Sequence, residues 1–131
     1  MKIAMIGSGT AGSVFASYLK MGGVEDIWLV DPYKEHMDKV AVDGMVFRNP
    51  TPDGEFHPPG FHTATSPDGL PVMDVVIIMV KTTITRIACE SAKKLAGPDT
   101  VVATMQNGLG NEEVVKEFFP ASRVMFGCGN M

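Results

Sequence analysis

A chain of 131 residues, 45% hydrophobic and 20% charged, is long enough to bury a core as one domain and has an ordinary globular composition. Its formal net charge of −4 argues against a basic surface for nucleic acid or anionic membrane. The apolar run behind Met1-Lys2 stops at Ile6 and the longest other run is Val75–Val80. Both are too short for a signal core or a membrane span, so a cytoplasmic protein is expected.

Lys2–Ile6 reads as a short strand, and Gly7-Ser8-Gly9-Thr10-Ala11-Gly12 follows it with a helical pattern behind. The spacing G-x-G-x-x-G at a strand-to-helix turn is the fingerprint of dinucleotide binding. Gly7 permits the sharp turn, Gly9 lets a pyrophosphate approach the backbone, and Gly12 lets the helix lie close to the sheet. The free N–H groups and positive end of the helix would face the phosphates. The alternative is a tight turn that binds nothing.

The helix carries Ala11, Val14, Phe15, Tyr18 and Leu19 on one side, with Ser13, Ser17 and Lys20 on the other. Gly22-Gly23 ends it. Ile27–Val30 is a short apolar run suited to a buried parallel strand, which closes a βαβ unit. Asp31 stands at its end, about 20 residues past the glycines, where an acidic side chain reads the adenosine ribose 2′-OH. A carboxylate there accepts that hydroxyl's hydrogen bond and repels a 2′-phosphate, so it favours NAD over NADP. Asp31-Pro32 is also a good helix start, with Asp as N-cap and Pro at the first position. The two roles are compatible.

A second helix shows Tyr33, Met37, Val40 and Ala41 on one face, ends near Asp43-Gly44, and leads to a short strand at Met45–Phe47. Six of the nine prolines fall between Arg48 and Pro71, so this stretch is expected to hold short hairpin-like edge strands, at Glu55–His57 and Phe61–Thr65, in place of a helical crossover. Val75–Val80 is a strand buried on both faces. Lys81-Thr82-Thr83 begins the next helix, with Ile84, Ile87, Ala88, Ala92 and Leu95 apolar and an end at Gly97-Pro98. Thr100–Met105 is another buried strand, Asn111 caps a short helix, and Arg123–Phe126 is the last strand. The elements predict an α/β, Rossmann-type doubly wound, mostly parallel sheet with a Pro-rich hairpin-like insertion between strands 3 and 4, one dinucleotide-binding domain over 1–131.

Ligands of such sheets bind beyond the carboxyl ends of the strands, which singles out Asp31, Lys81, Thr82, Gln106 and Asn107. Lys81 opposes the dipole of the helix it starts, which suits a lysine reaching a phosphate or ribose as well as a solvated one. Asn107-Gly108 reads as a turn, or as an amide offered to a ribose or carbonyl. Cys89 and Cys128 match no metal spacing and are expected as buried thiols. His36, His57 and His62 read as surface histidines, and the ten methionines as core filler. No nucleophile–base pair, metal-ligand spacing or carboxylate pair stands out.

With Gly7–Gly12, Val80-Lys81-Thr82 and Gln106-Asn107-Gly108-Leu109-Gly110-Asn111-Glu112 in place, the chain resembles the N-terminal half of the ketopantoate reductase (2-dehydropantoate 2-reductase) family. The resemblance covers essentially all 131 residues, and the late motif is its more specific part. It implies reduction of a 2-keto acid by a nicotinamide cofactor, NAD(P) and typically NADPH, on the pathway to pantothenate. It also implies that Gly7, Ser8, Gly9, Thr10, Ala11 and Gly12 hold the pyrophosphate. Lys81, with Thr82 beside it, and Asn107 match the family's cofactor-contacting lysine and asparagine, and the matched asparagine lies beside the substrate. Asp31 departs from the basic residue of NADPH-using members, and related enzymes oxidise D-2-hydroxy acids with NAD. The family's catalytic lysine and a glutamate lie in a C-terminal helical domain outside this sequence, so the chain is expected to bind cofactor and to be inactive alone. A stand-alone NAD-sensing regulatory domain is the competing class; it gives no reason for Lys81 or the late motif.

Overall fold

The computed structural model describes residues 1–48 and 54–128, with every side chain but those of Phe47 and Phe56. In chain order the elements are β1 (Lys2–Ile6), α1 (Thr10–Met21), β2 (Asp26–Val30), α2 (Lys34–Asp43), β3 (Phe47–Arg48), β4 (Glu55–Phe56) and β5 (His62–Ala64). β6 (Met73–Ile78), α3 (Thr85–Leu95), β7 (Ala96–Thr104), α4 (Asn111–Phe118) and β8 (Val124–Phe126) complete it. The main sheet runs β5-β2-β1-β6-β7-β8 with every pairing parallel, the doubly wound order expected. Among the described residues no helix is long and apolar enough to cross a membrane.

Side chains alternate along a strand, and β1 shows the consequence. Ile3 and Met5 join the core under α1 and α2, with Ala16, Leu29, Met37 and Val40. Ala4 and Ile6 join the core on the opposite face, with Val76, Ala88, Ala92, Leu95 and Val115. A strand apolar from Ile3 to Ile6 is thus covered on both sides.

The helix α1 departs from the expected face. Gly12, Ala16 and Ser17 are its buried residues, while Tyr18 is about half exposed. Small side chains let the helix axis approach the sheet, and Ser17 is tolerated there because its hydroxyl donates to the Ser13 carbonyl (2.8 Å). The end at Gly22-Gly23 is as expected. Gly23 takes φ +96°, its N–H reaches Lys20 O, and Val24 N–H reaches Leu19 O, the paired bonds of a Schellman end.

The Pro-rich stretch resolves into two different objects. β3 and β4 pair antiparallel, Phe47 against Phe56 and Arg48 against Glu55; residues 49–53 between them lie outside the described residues. The segment expected as a second hairpin strand is instead β5, the parallel edge of the main sheet, with His62 opposite Trp28. Backbone pairing to β2 outweighs the proline-rich context because positions 62–64 themselves lack proline. The missing crossover helix is real. It falls between β5 and β6, where Leu70 packs into the core below, and the Trp28 and His62 rings stack at 4.4 Å.

Lys20 fastens this region. Its ammonium donates to Glu25 O (2.6 Å) and Gly60 O (3.0 Å), and its side chain is 12% exposed. Two charge-assisted bonds to backbone carbonyls exceed what a surface pair supplies. Lys20→Met is expected to lower the unfolding free energy by about 1–3 kcal/mol, with faster amide exchange around Phe61, checked by urea melts and hydrogen exchange.

The cysteines differ from each other. Cys89 is buried, while Cys128 is exposed, against the expectation for it; it follows β8, the edge strand of the sheet, and its thiol reaches Asn107 Oδ1 at 3.6 Å. Burial pushes the Cys89 thiol up to about 11, so at neutral pH it holds no thiolate to react. Ellman's reagent is expected to titrate one thiol in the native protein and the second only after denaturation.

Candidate functional site

Strand order reverses between β1 and β6, so the carboxyl-end crevice of the sheet opens there. The ladder continues past the strands into that crevice. Gly7 N–H donates to Val30 O, Met79 N–H to Ile6 O, and Met105 N–H to Ile78 O. Three loops are thereby held at one level: the glycine turn, the segment after β6, and the segment after β7.

The three glycines of the turn do different things. Gly7 has φ +94°, and a Cβ there would stand 2.9 Å from Val80 Cγ1 and 3.0 Å from the Met79 carbonyl carbon. A Cβ on Gly12 would stand 2.0 Å from Gly7 O. Both are demanded by packing. At Gly9 a Cβ would meet nothing within 4 Å, and φ −71°, ψ −169° suits any residue. Gly9 is the N-cap of α1 and offers no side chain to its first N–H groups, which remain available to an external acceptor.

Two clefts adjoin the turn. The first, about 470 Å³, is lined by Ser8, Gly9 and Thr10 with Ser13, Tyr33, His36, Val46 and Arg48. The second, about 340 Å³, is lined by Ala11, Met79, Val80, Lys81, Thr82, Met105, Gln106 and Asn107. Of the residues singled out in the sequence, Ser8–Thr10 thus face one cleft and Ala11, Lys81, Thr82 and Asn107 the other. Gly7 and Gly12 lie inside the turn's own packing. The Thr82 hydroxyl is already donated to Asn107 O (3.1 Å).

Asp31 lines neither cleft and caps no helix; it bonds instead to Ser8 and Tyr33, which line the first. Its Oδ2 accepts from Ser8 N–H at 2.8 Å and its Oδ1 from Tyr33 N–H at 2.9 Å. The N-cap of α2 is Tyr33, with no side-chain cap. The cap thus falls two residues later than Asp31, and the carboxylate turns to the glycine loop 23 residues earlier. The cap expectation is therefore corrected, and Asp31 is a brace between the two strand ends. Asn111 is likewise the first residue of α4, not its cap; Gly110 is the cap, in the left-handed region.

Two residues of the first cleft have no signal in the sequence. Half-buried His36 places Nε2 3.4 Å from Ser8 Oγ and its ring near that of Tyr33; it is a wall of the cleft, not a surface histidine. Arg48, on β3, pairs its Nε with Glu55 at 2.9 Å and holds that carboxyl below the usual range. His57 and His62 are exposed as expected. Among the described residues no group of His, Cys, Asp and Glu could hold a metal ion.

A family model described as ketopantoate reductase PanE/ApbA matches residues 3–130. The 2-dehydropantoate 2-reductase of Halobacterium salinarum is 32% identical over 127 residues, which cover 97% of this chain and 41% of that protein. The enzyme of the same name from Nostoc sp. is 29% identical over 133 residues, covering 98% and 40%. Among solved structures, 2-dehydropantoate 2-reductase from Geobacter metallireducens superposes with a TM-score of 0.82 at 25% identity, over 99% of this chain and 47% of that one. D-mandelate dehydrogenase, solved with NADH and anilino(oxo)acetate, superposes with a TM-score of 0.79 at 26% identity, over 98% and 40%. The chain spans about 40% of the length of these curated relatives.

Proposed function

This chain belongs to the ketopantoate reductase family, and we propose that it is the nicotinamide-dinucleotide-binding domain of a 2-keto acid reductase acting on 2-dehydropantoate. The observation that carries the reading is Gly9. Packing accounts for Gly7 and Gly12, whereas the space over Gly9 stands open between two clefts. A pyrophosphate fits there, against uncapped N–H groups and without side-chain bulk.

In this reading the adenosine half occupies the cleft of Ser8, Thr10 and Tyr33, with Asp31 bonded to the first and last of them. The nicotinamide half occupies the cleft of Ala11, Lys81 and Asn107. The bound cofactor supplies hydride chemistry. Lys81 offers a cation and Asn107 an amide, in reach of a ribose or of a carbonyl substrate. Asp31, an anion bonded to two residues of the adenosine cleft, favours NAD over NADP. The acid that protonates the reduced carbonyl belongs to a second domain, in the part of the relatives that this chain does not span, and the 131 residues alone bind without turnover.

Calorimetric titration with NADH and NADPH tests the binding; heat from neither would sink it, and tighter binding of NADPH would sink the role given to Asp31. Joined to the remaining portion of its relatives, the chain should oxidise NAD(P)H in the presence of ketopantoate. The likeness to D-mandelate dehydrogenase with NADH favours a second reading, an NAD-dependent D-2-hydroxy acid dehydrogenase. Oxidation of D-mandelate with no ketopantoate reduction would select it.

A further inference from the structure

Lys81 and Asn107 are exposed, yet the backbone on both sides of each is tied down by buried polar side chains. The tie begins at Thr104 and runs one way. The Thr104 hydroxyl donates to Gln106 Oε1 (2.9 Å). Gln106 Nε2 donates to Val80 O (2.7 Å) and to Thr85 Oγ1 (2.9 Å). Thr85 Oγ1 lies 3.1 Å from Asn111 Oδ1 and 3.0 Å from Thr82 O, and its single proton serves one of them at a time. Asn111 Nδ2 reaches Gly108 O and Thr82 Oγ1, each at 3.2 Å.

The donor and acceptor inventory fixes the orientation. Val80 O can only accept, so the Gln106 amide nitrogen must face it, and its oxygen is left for Thr104. Thr85, Thr104, Gln106 and Asn111 are all buried, and no buried side-chain nitrogen or oxygen among the described residues lacks a partner. Gln106 holds the residue before Lys81, and Thr82, which follows Lys81, is held by Asn107 O and Asn111. Asn107 in turn lies between Gln106 and Gly108, both tied. Gly108 could not be another residue cheaply: at φ +108° a Cβ would stand 3.2 Å from Thr82 Oγ1.

We infer that Gln106, Thr85 and Asn111 are positioning residues that hold Lys81 and Asn107 at a fixed spacing across the second cleft, for the nicotinamide half of the cofactor. The inference rests on the proposed function. It separates the late motif into two layers, one that touches the ligand and one that only aims it. Preorganisation of this kind improves binding without contact, because the bound geometry need not be assembled on binding.

The test compares NADH with ADP, which carries the adenosine and both phosphates but no nicotinamide ribose. Thr85→Val keeps the side chain's shape and removes the hydroxyl that joins Gln106 to Asn111. It should weaken NADH about tenfold or more, the scale of one lost hydrogen-bonding link, while ADP changes less than about twofold. Thr85→Ser restores the hydroxyl and should recover NADH affinity. Asn111→Asp keeps the acceptor and loses the donors, and should behave as Thr85→Val. Equal weakening of NADH and ADP, or no weakening of either, would overturn the inference. Failure of the unsubstituted chain to bind NADH or NADPH would overturn the proposed function instead. Should Thr85→Val fail to fold, Asn111→Asp and Thr85→Ser give the same comparison at the other end of the chain of bonds.

Discussion

Gly9→Thr is expected to leave the protein as stable as before and to weaken NADH at least about 100-fold, whereas Gly12→Ala is expected to destabilise the fold itself. The two positions lie three residues apart in one motif, and the proposed function gives them opposite work. Threonine is a favoured N-cap, the backbone at Gly9 already has angles that it adopts, and its Cβ meets nothing within 4 Å. Its melting temperature should therefore stay put, or rise slightly. The same side chain enters the open space over the uncapped N–H groups of α1, and the loss of a bound pyrophosphate should cost about 2.7 kcal/mol or more of binding. At Gly12 an alanine Cβ stands 2.0 Å from a backbone oxygen of the same turn. No flexible side chain is there to yield, so α1 must lift off β1. Overpacking of this kind costs about 1–3 kcal/mol and more where backbone must move. Urea melts with parallel calorimetric titrations read both. Normal NADH affinity in Gly9→Thr would remove the pyrophosphate from this turn.

Most of the fold was legible because its signals are local. β1, α1 and β2 follow from an apolar run, three glycines and a second apolar run, and that unit makes β1 and β2 parallel neighbours. That Lys81 and Asn107 would reach one crevice was legible by position, since the rule of strand ends depends only on knowing where strands stop, and both line the second cleft. What escaped was tertiary. Asp31-Pro32 carries a cap signal, but a carboxylate that finds the Ser8 N–H across the sheet does not cap α2. His36 and Arg48 line the first cleft because His36 of α2 reaches Ser8 and β3 packs beside α1, and no spacing within either segment encodes that approach. β5 was legible as an edge strand at Phe61–Thr65, but its parallel pairing with β2 was not; three residues pair there, too few to say which strand they join. Gln106 stood out in sequence as a strand-end residue and Asn111 as a helix cap; their burial in one set of hydrogen bonds escaped, because those bonds depend on Val80, Thr82 and Thr85.

Asp31→Ala is expected to have two separable effects, and their ratio decides what Asp31 is for. As a brace, its carboxylate satisfies the N–H groups of Ser8 and Tyr33. Ser8 is buried, so its N–H loses a charged acceptor that water replaces poorly, at about 1–3 kcal/mol of stability. That loss distorts the turn and should weaken NADH and NADPH together. As a reader of the ribose, Asp31 acts on the two cofactors in opposite directions. A pair of like charges about 4 Å apart near a surface repels by about 4 kcal/mol before salt screening. A third of that is tenfold in affinity. Removing the carboxylate should therefore move the ratio of NADPH to NADH affinity toward NADPH by about tenfold or more, on top of any common loss. Asp31→Asn sharpens the comparison, since it keeps the size and one acceptor oxygen but no charge. It should shift the ratio as alanine does while giving back part of the stability. A common loss with an unchanged ratio in both variants would leave Asp31 as a turn-building residue alone, and the cationic Arg48 in the wall of the first cleft would then be the next residue to test for choosing between the cofactors.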